Sequence, residues 1–236
     1  MHPLDNVVWH SLTTRHAALA ESYDQARRFL PEISTIGAFL EPTDRGYDSL
    51  AKLVKNGDTV NLALPGPYEG SRAEWTLTRG TLMPQMVYEG NGSELSASVP
   101  ADVEILDRIL ELEAGDVDEM VELTSLTQPG PFARRTHELG TYIGIRKGGK
   151  LIAMAGERLK VPGYTEVSAI CTHPEHTGRG YARILTTEIM RRILERRETP
   201  FLHVRHDNVR AIALYERLGF RIRVVNYHAV LRRDGK

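Results

Sequence analysis

The chain is short of several things, and each shortage excludes a class of protein. It has a single cysteine, Cys171, among 236 residues. One thiol has no partner within the chain, so a disulfide framework is excluded. Its 30 Lys and Arg are balanced by 31 Asp and Glu, for a net charge of -1. That leaves no basic excess of the kind a nucleic-acid-binding face needs. No run approaches the ~18 consecutive apolar residues of a membrane span. The opening Met1-His2-Pro3-Leu4-Asp5-Asn6 lacks both the basic and the apolar region of a secretory leader. The expectation is a cytoplasmic protein with neither a nucleic acid nor a membrane as partner. The remainder is ordinary for a globular protein, with 41% apolar and 26% charged residues. The length suits one large domain or two small ones.

Two parts are expected, residues 1–100 and 101–236. In the first, residues 14–30 are rich in helix formers, and 48–55 form a second helix candidate. Thr59–Leu64 alternates with period two and reads as a half-buried strand. Residues 75–78 and 85–88 are two further strands, with Gly80 between them. The cluster Gly90-Asn91-Gly92-Ser93 and Ser96–Pro100 reads as a linker. In the second part, residues 109–112 form a short strand. Asp116 and Glu119 have capping-box spacing ahead of a helix. Two strand-like runs flank Lys147-Gly148-Gly149-Lys150 as a hairpin. Residues 166–172 form a strand with Val167, Ala169 and Cys171 on one face and Glu166, Ser168 and Ile170 on the other. A helix over 179–196 carries the stripe Ala182, Leu185, Ile189 and Ile193. After a strand at 201–204, Asn208 caps a last helix, with the stripe Ala211, Leu214, Tyr215 and Leu218 and Gly219 at its end. Residues 221–231 close as a strand, which could also mediate a homodimer.

The junction Thr177-Gly178-Arg179-Gly180-Tyr181-Ala182 carries the chemistry. Glycines between a strand and a helix let the backbone turn tightly and aim several N–H groups outward, and the helix N-terminus adds partial positive charge. Such a turn binds phosphate, or merely starts a helix. A dinucleotide-binding fingerprint fails at Arg183, and no Gly-Lys-Ser/Thr follows to make a nucleotide-binding P-loop. About thirty residues on lies Asn208-Val209-Arg210-Ala211-Ile212-Ala213-Leu214-Tyr215-Glu216-Arg217-Leu218-Gly219-Phe220. Together the two segments resemble the signatures of the GNAT superfamily of acetyl-CoA-dependent N-acetyltransferases, Gln/Arg-x-x-Gly-x-Gly/Ala and Asn-x-x-Ala-x-x-Leu-Tyr-x-x-x-Gly-Phe. The likeness covers roughly residues 103–236. Thr177 departs from it, standing where the family has Gln or Arg.

The resemblance implies an α/β (α+β) fold, a central mixed and twisted sheet flanked by helices, with a smaller N-terminal α/β unit beside it. That unit would be a degenerate GNAT-like half, since its order loosely echoes the second part, although no residue pattern repeats. The resemblance further implies acetyl-CoA as co-substrate and an amine, of a small molecule or a protein, as acceptor. Ile170, Cys171 and Thr172 would pair their backbone with the pantetheine arm. The amides from Gly178 through Arg179, Gly180 and Tyr181 to Ala182 would hold the diphosphate, beside Thr177. Asn208 and Ala211 would contact the cofactor, with Tyr215 beside its sulfur. Glu166 stands at the offset of the catalytic glutamate in protein-lysine-acetylating relatives. The chemistry suits these residues. An amine attacks a thioester only when neutral, and Glu166 could take its proton if burial raised its pKa. The Tyr215 hydroxyl could protonate the leaving thiolate. Without the pattern, Tyr215 would read as a core tyrosine, Glu166 as a strand-end carboxylate and Cys171 as a small buried hydrophobe. The two His-x-x-His runs, 173–176 and 203–206, lack the spacing of a helical ligand pair, so no metal is expected; His203 or His206 could assist the amine. The alternative to an enzyme is a degenerate relative that binds acyl-CoA as a sensor or scaffold.

Overall fold

A computed structural model describes residues 2–69, 74–92, 95 and 109–235. The linker expected at 90–100, and with it the division at residue 100, falls mostly outside these residues.

The first part departs most from expectation. Helix α1 is Val7–Thr13, and residues 14–30 form no α-helix. A 3-10 turn, Ala17–Leu19, leads into β1 (Ala20–Tyr23) and β2 (Ala26–Phe29), which turn at Asp24 with φ 42°. The cause is tertiary. Strand β2 pairs with β1 on one side and with β3 (Gly37–Phe39) on the other. Ala26 and Phe29 are thereby buried, and Arg28 pairs with Glu21 across the hairpin. Helix propensities differ by only a few tenths of a kcal/mol per residue. Burying one phenylalanine contributes about 1.5–3 kcal/mol and outweighs them. Helix α2 (Asp44–Ala51) starts four residues earlier than expected because Thr43 caps it, accepting from the Gly46 N–H at 3.2 Å.

Strand β4 (Thr59–Leu64) forms as read. The two strand candidates around Gly80 are one continuous strand, β5 (Trp75–Tyr88). Gly80 is there for space: a Cβ on it would lie 1.8 Å from the Tyr227 hydroxyl.

The second part follows its sequence pattern closely. In order come β6 (Ile109–Glu111), α3 (Val117–Thr127), β7 (Tyr142–Lys147), β8 (Lys150–Val161), β9 (Tyr164–Thr172), α4 (Tyr181–Glu195), β10 (Thr199–His203), α5 (Val209–Arg217) and β11 (Phe220–Arg233). The β7–β8 hairpin turns at Gly148 and Gly149, both with positive φ, as a two-residue hairpin turn requires. The capping box sits one turn earlier than read. It joins Glu113 to Asp116 around the 3-10 turn Ala114–Asp116, while Glu119 bonds Arg146 and the Leu151 N–H.

The main sheet has eight strands in the order β4-β11-β5-β10-β9-β8-β7-β6. It is mixed: β10 runs parallel to β9, and the other pairs are antiparallel. Strand β5 lies between β10 and β11 and pairs with both. The first hundred residues therefore contribute strands to the same sheet as the second part. Leu185, Ile189 and Ile193 of α4 are fully buried against this sheet, as their spacing predicts, with Tyr215 and Leu218 of α5 in the same core. Helix α1 covers a second core with Phe29, Leu159, Val161 and Phe201. Among the described residues, no helix is long and apolar enough to cross a membrane.

Candidate active site

Strand β9 does not alternate regularly. Ala169 has φ 52°, and the β8–β9 register shifts between Met154 and Gly156. This bulge overturns the expected facing. Val167 and Ile170 pack with α4 and α5, while Ala169 and Cys171 pack with Met120 and Leu123 of α3. An added residue in one strand reverses which side its neighbours face.

The bulge coincides with a parting of strands. Strands β9 and β10 pair only through Thr199–Tyr164, Pro200–Thr165 and Phe201–Glu166. Beyond Glu166, β9 pairs with β8 and β10 pairs with β5. Residues 167–172 thus present a strand edge toward the gap. The Thr172 hydroxyl at its end is buried and unpartnered among the described residues.

The glycine-bearing turn stands after this edge. Gly178 and Gly180 have φ 79° and 82°, and Gly180 caps α4. A Cβ at either would meet nothing within 4 Å. Conformation, not crowding, calls for glycine here, and open space lies before the backbone. The first N–H groups of a helix have no acceptor inside it, so Tyr181 and Ala182 offer theirs outward. The space, the N–H groups and the helix dipole fit a diphosphate. The Thr177 hydroxyl and backbone N–H both donate to the Pro174 carbonyl, at 3.0 and 3.4 Å, so Thr177 offers the turn no free donor. Arg179 is exposed.

Tyr215 is 8% exposed, stacked edge-to-face on Phe220, and burial pushes its hydroxyl up to about 12. It stays protonated at neutral pH, as a proton donor must. Asn208 caps α5 by accepting from the Ala211 N–H at 3.1 Å. Burial pushes the Cys171 thiol up to about 11, which removes it as a nucleophile. His173, Glu175 and His176 bring donor atoms within 4.8 Å of one another ahead of the turn, and His173 Nδ1 already accepts from the Glu175 N–H.

At Glu166 the structure departs from the raised pKa expected of burial. The side chain is fully buried, and burial alone would raise its pKa. The Arg158 guanidinium reverses this. Nε and Nη2 each bond one carboxylate oxygen at 2.8 Å. The Leu159 N–H and His203 Nδ1 also donate to it, at 3.3 and 2.6 Å. Together they hold the carboxyl well below the usual carboxylate range. The chain of bonds continues. His203 carries its proton on Nδ1, and its Nε2 accepts from Gln85 Nε2 at 3.2 Å. Gln85 Nε2 also donates to the Leu4 carbonyl, and Gln85 Oε1 accepts from Arg223, which pairs with Asp5. Sequence reading missed Arg158 and Gln85. His206, the other histidine of that run, is exposed and sits near the Leu82 carbonyl.

Comparison with known proteins gives this geometry a class. The model of the FR47-like protein family matches residues 142–229. A GNAT-related N-acetyltransferase from Kribbella flavida shares the fold, with TM-score 0.61, 14% identity and coverage of 98% of this chain and 96% of that one. The parted strands and glycine turn thus sit in a fold that the two proteins share. A GNAT-family acetyltransferase from Novosphingobium aromaticivorans superposes over 100% of both chains, with TM-score 0.88 and 33% identity. The chain belongs to the GNAT family of acetyltransferases. It is also 38% identical over 99 residues to the N-alpha-acetyltransferase RimI of Mycobacterium tuberculosis, over 39% of this chain and 61% of that protein. A Mycobacterium leprae protein is 35% identical over 120 residues, 46% of this chain and 33% of that one. The chain thus spans 61% and 33% of the length of these two curated relatives.

Proposed function

We propose that the protein transfers an acetyl group from acetyl-CoA to a primary amine by direct attack. The observation that carries this reading is the parting of β9 and β10 beyond Glu166, with the glycine-bearing start of α4 beside it. The free edge at Ile170, Cys171 and Thr172 suits the amides of a pantetheine arm, as an added strand would. The amides from Gly178 to Ala182 suit the diphosphate. Bound there, acetyl-CoA supplies an activated thioester. Asn208 and Ala211 position the N-terminus of α5, which aims Tyr215 at the sulfur. Tyr215 donates a proton to the departing thiolate.

Glu166 takes a role other than proton acceptor. A carboxylate held ionised by Arg158 and His203 retains a proton poorly. It instead fixes Arg158 and His203 in place beside the gap. The amine therefore loses its proton to water. The first hundred residues act as an accessory unit that walls the acceptor side. The mycobacterial relative named an N-alpha-acetyltransferase supports an amine as acceptor.

The test is release of CoA thiol from acetyl-CoA across a panel of amines, with mass spectrometry of the amine. Amine-dependent thiol release with an added acetyl mass is the expected result. Tight CoA binding with no release on any amine would favour a sensor.

A further inference from the structure

The run His173-Pro174-Glu175-His176 has no part in the acetyl transfer described above. Its histidines lack the spacing of an α-helical ligand pair, but the fold supplies another spacing. Pro174–His176 is a single 3-10 turn, closed by the His176 N–H on the His173 carbonyl at 2.8 Å. Three residues complete one turn of such a helix, so side chains at i and i+3 stand over each other. His173 and His176 have that offset, with ring centroids 5.7 Å apart. Glu175 completes a trio whose donor atoms, one from each residue, all lie within 4.8 Å of one another. The second run differs, since His203 is committed to Glu166 and Gln85.

Both imidazoles have a nitrogen to offer. His176 Nδ1 is shielded from solvent and has no hydrogen-bond partner among the described residues. Such atoms are rare, and a bound ion is one way to satisfy them. His173 Nδ1 accepts from the Glu175 N–H at 3.3 Å, an exposed bond longer than the ~2.9–3.0 Å usual for its kind. A metal takes that lone pair at small cost, because the N–H can turn to water. The Glu175 carboxylate is exposed. Two imidazoles and one carboxylate suit zinc and its neighbours, whereas magnesium and calcium need a shell of oxygens. Lys147 and Arg179 lie near enough to act on His176. Their charges disfavour an ion held by charge alone and leave one held by imidazole nitrogen. Tetrahedral zinc, with bonds of about 2.0–2.1 Å, sets its ligand atoms roughly 3.3 Å apart. The trio must therefore draw in by up to about 1.5 Å, within reach of side-chain rotation at a surface turn. We propose that His173, Glu175 and His176 bind one zinc-type divalent cation. The ion ties the end of β9 to the start of the glycine-bearing turn. The site stands independently of the acetyl-transfer reading.

The experiment titrates chelator-treated protein with zinc chloride by calorimetry and follows melting with and without the metal. One ion per chain and a raised melting temperature are expected, since the ion binds only the folded turn. His176→Gln and Glu175→Gln should each weaken zinc binding by at least about tenfold, because even the outer partners of a metal site cost about 10–100-fold. His173→Asn, which keeps a capping oxygen for the 3-10 turn, should do the same. His137→Gln, on a different turn, should bind zinc as the wild type does. Circular dichroism before metal addition shows that each variant is folded. Any of three results overturns the proposal: no saturable zinc binding by the wild type, binding undiminished in all three site variants, or magnesium binding as tight as zinc.

Discussion

Replacing Glu166 with glutamine removes the fully buried charge of its pair with Arg158 while nearly keeping its shape. The carboxylate accepts from four donors: Arg158 Nε, Arg158 Nη2, the Leu159 N–H and His203 Nδ1. A carboxamide has one acceptor oxygen, and its nitrogen would face donors with a donor. Breaking a buried ion pair from one side typically costs about 3–5 kcal/mol, because the other charge is left uncompensated. At roughly 2–4 °C per kcal/mol for a chain of this size, melting should fall by about 6–20 °C. The pH dependence has a definite sign. Glu166 has its folded pKa depressed below the ordinary glutamate value of 4.5, so its stabilisation is fully present above that value. It is lost as pH falls toward the folded pKa. The gap between wild type and Glu166→Gln should therefore stay constant above about pH 5 and narrow below about pH 4.5. Thermal denaturation by circular dichroism across pH 3–8 measures this. A variant melting within about 1 °C of wild type at pH 7 would refute a buried, charge-bearing pair.

Four further outcomes are expected. The pH profile of kcat/KM should rise with deprotonation of the acceptor amine and show no limb from a carboxylate of raised pKa between pH 5 and 7; such a limb, abolished in Glu166→Gln, would restore Glu166 as the base. Tyr215→Phe should lower kcat by about 10²-fold or more, the lower range of general acid catalysis, with CoA affinity nearly intact by calorimetry. Millimolar CoA should raise the melting temperature of the wild type, and Gly180→Ala, strained at positive φ by about 1 kcal/mol, should show a smaller rise. Tyr142→Phe should melt no lower than wild type, since the lost hydroxyl has no partner among the described residues and its burial costs about 1–3 kcal/mol; a clear drop would reveal a bond to it.

What was legible in the sequence tracks where local rules agree with tertiary demand. The stripe of α4, the Asn208 cap, the Gly148-Gly149 hairpin and the strand at 59–64 each follow from spacing and turn chemistry. Residues 14–30 misled because alanine-rich composition states a weak preference, and the pairing of β2 with β3 overrides it. The bulge at Ala169 left no mark in the alternation. Arg158 could have been found: in a hairpin turning at Pro162-Gly163, it falls nearly opposite Glu166. Gln85 could not, because only the insertion of β5 brings it to His203.

That insertion reaches beyond the site. Strand β10 and most of β11 lie inside the stretch matched by the family model, yet they are not neighbours in the sheet, because β5 lies between them. The closing bonds reach far, as when Thr76 donates to Asp234, 158 residues on. Contacts at such separation form late and slow the search for the native state. A chain cut near residue 100 would break three seams, β4–β11, β11–β5 and β5–β10, and raw strand edges invite aggregation. The two fragments, mixed, should zip together as a complementing pair, with β5 as the tooth of the zipper.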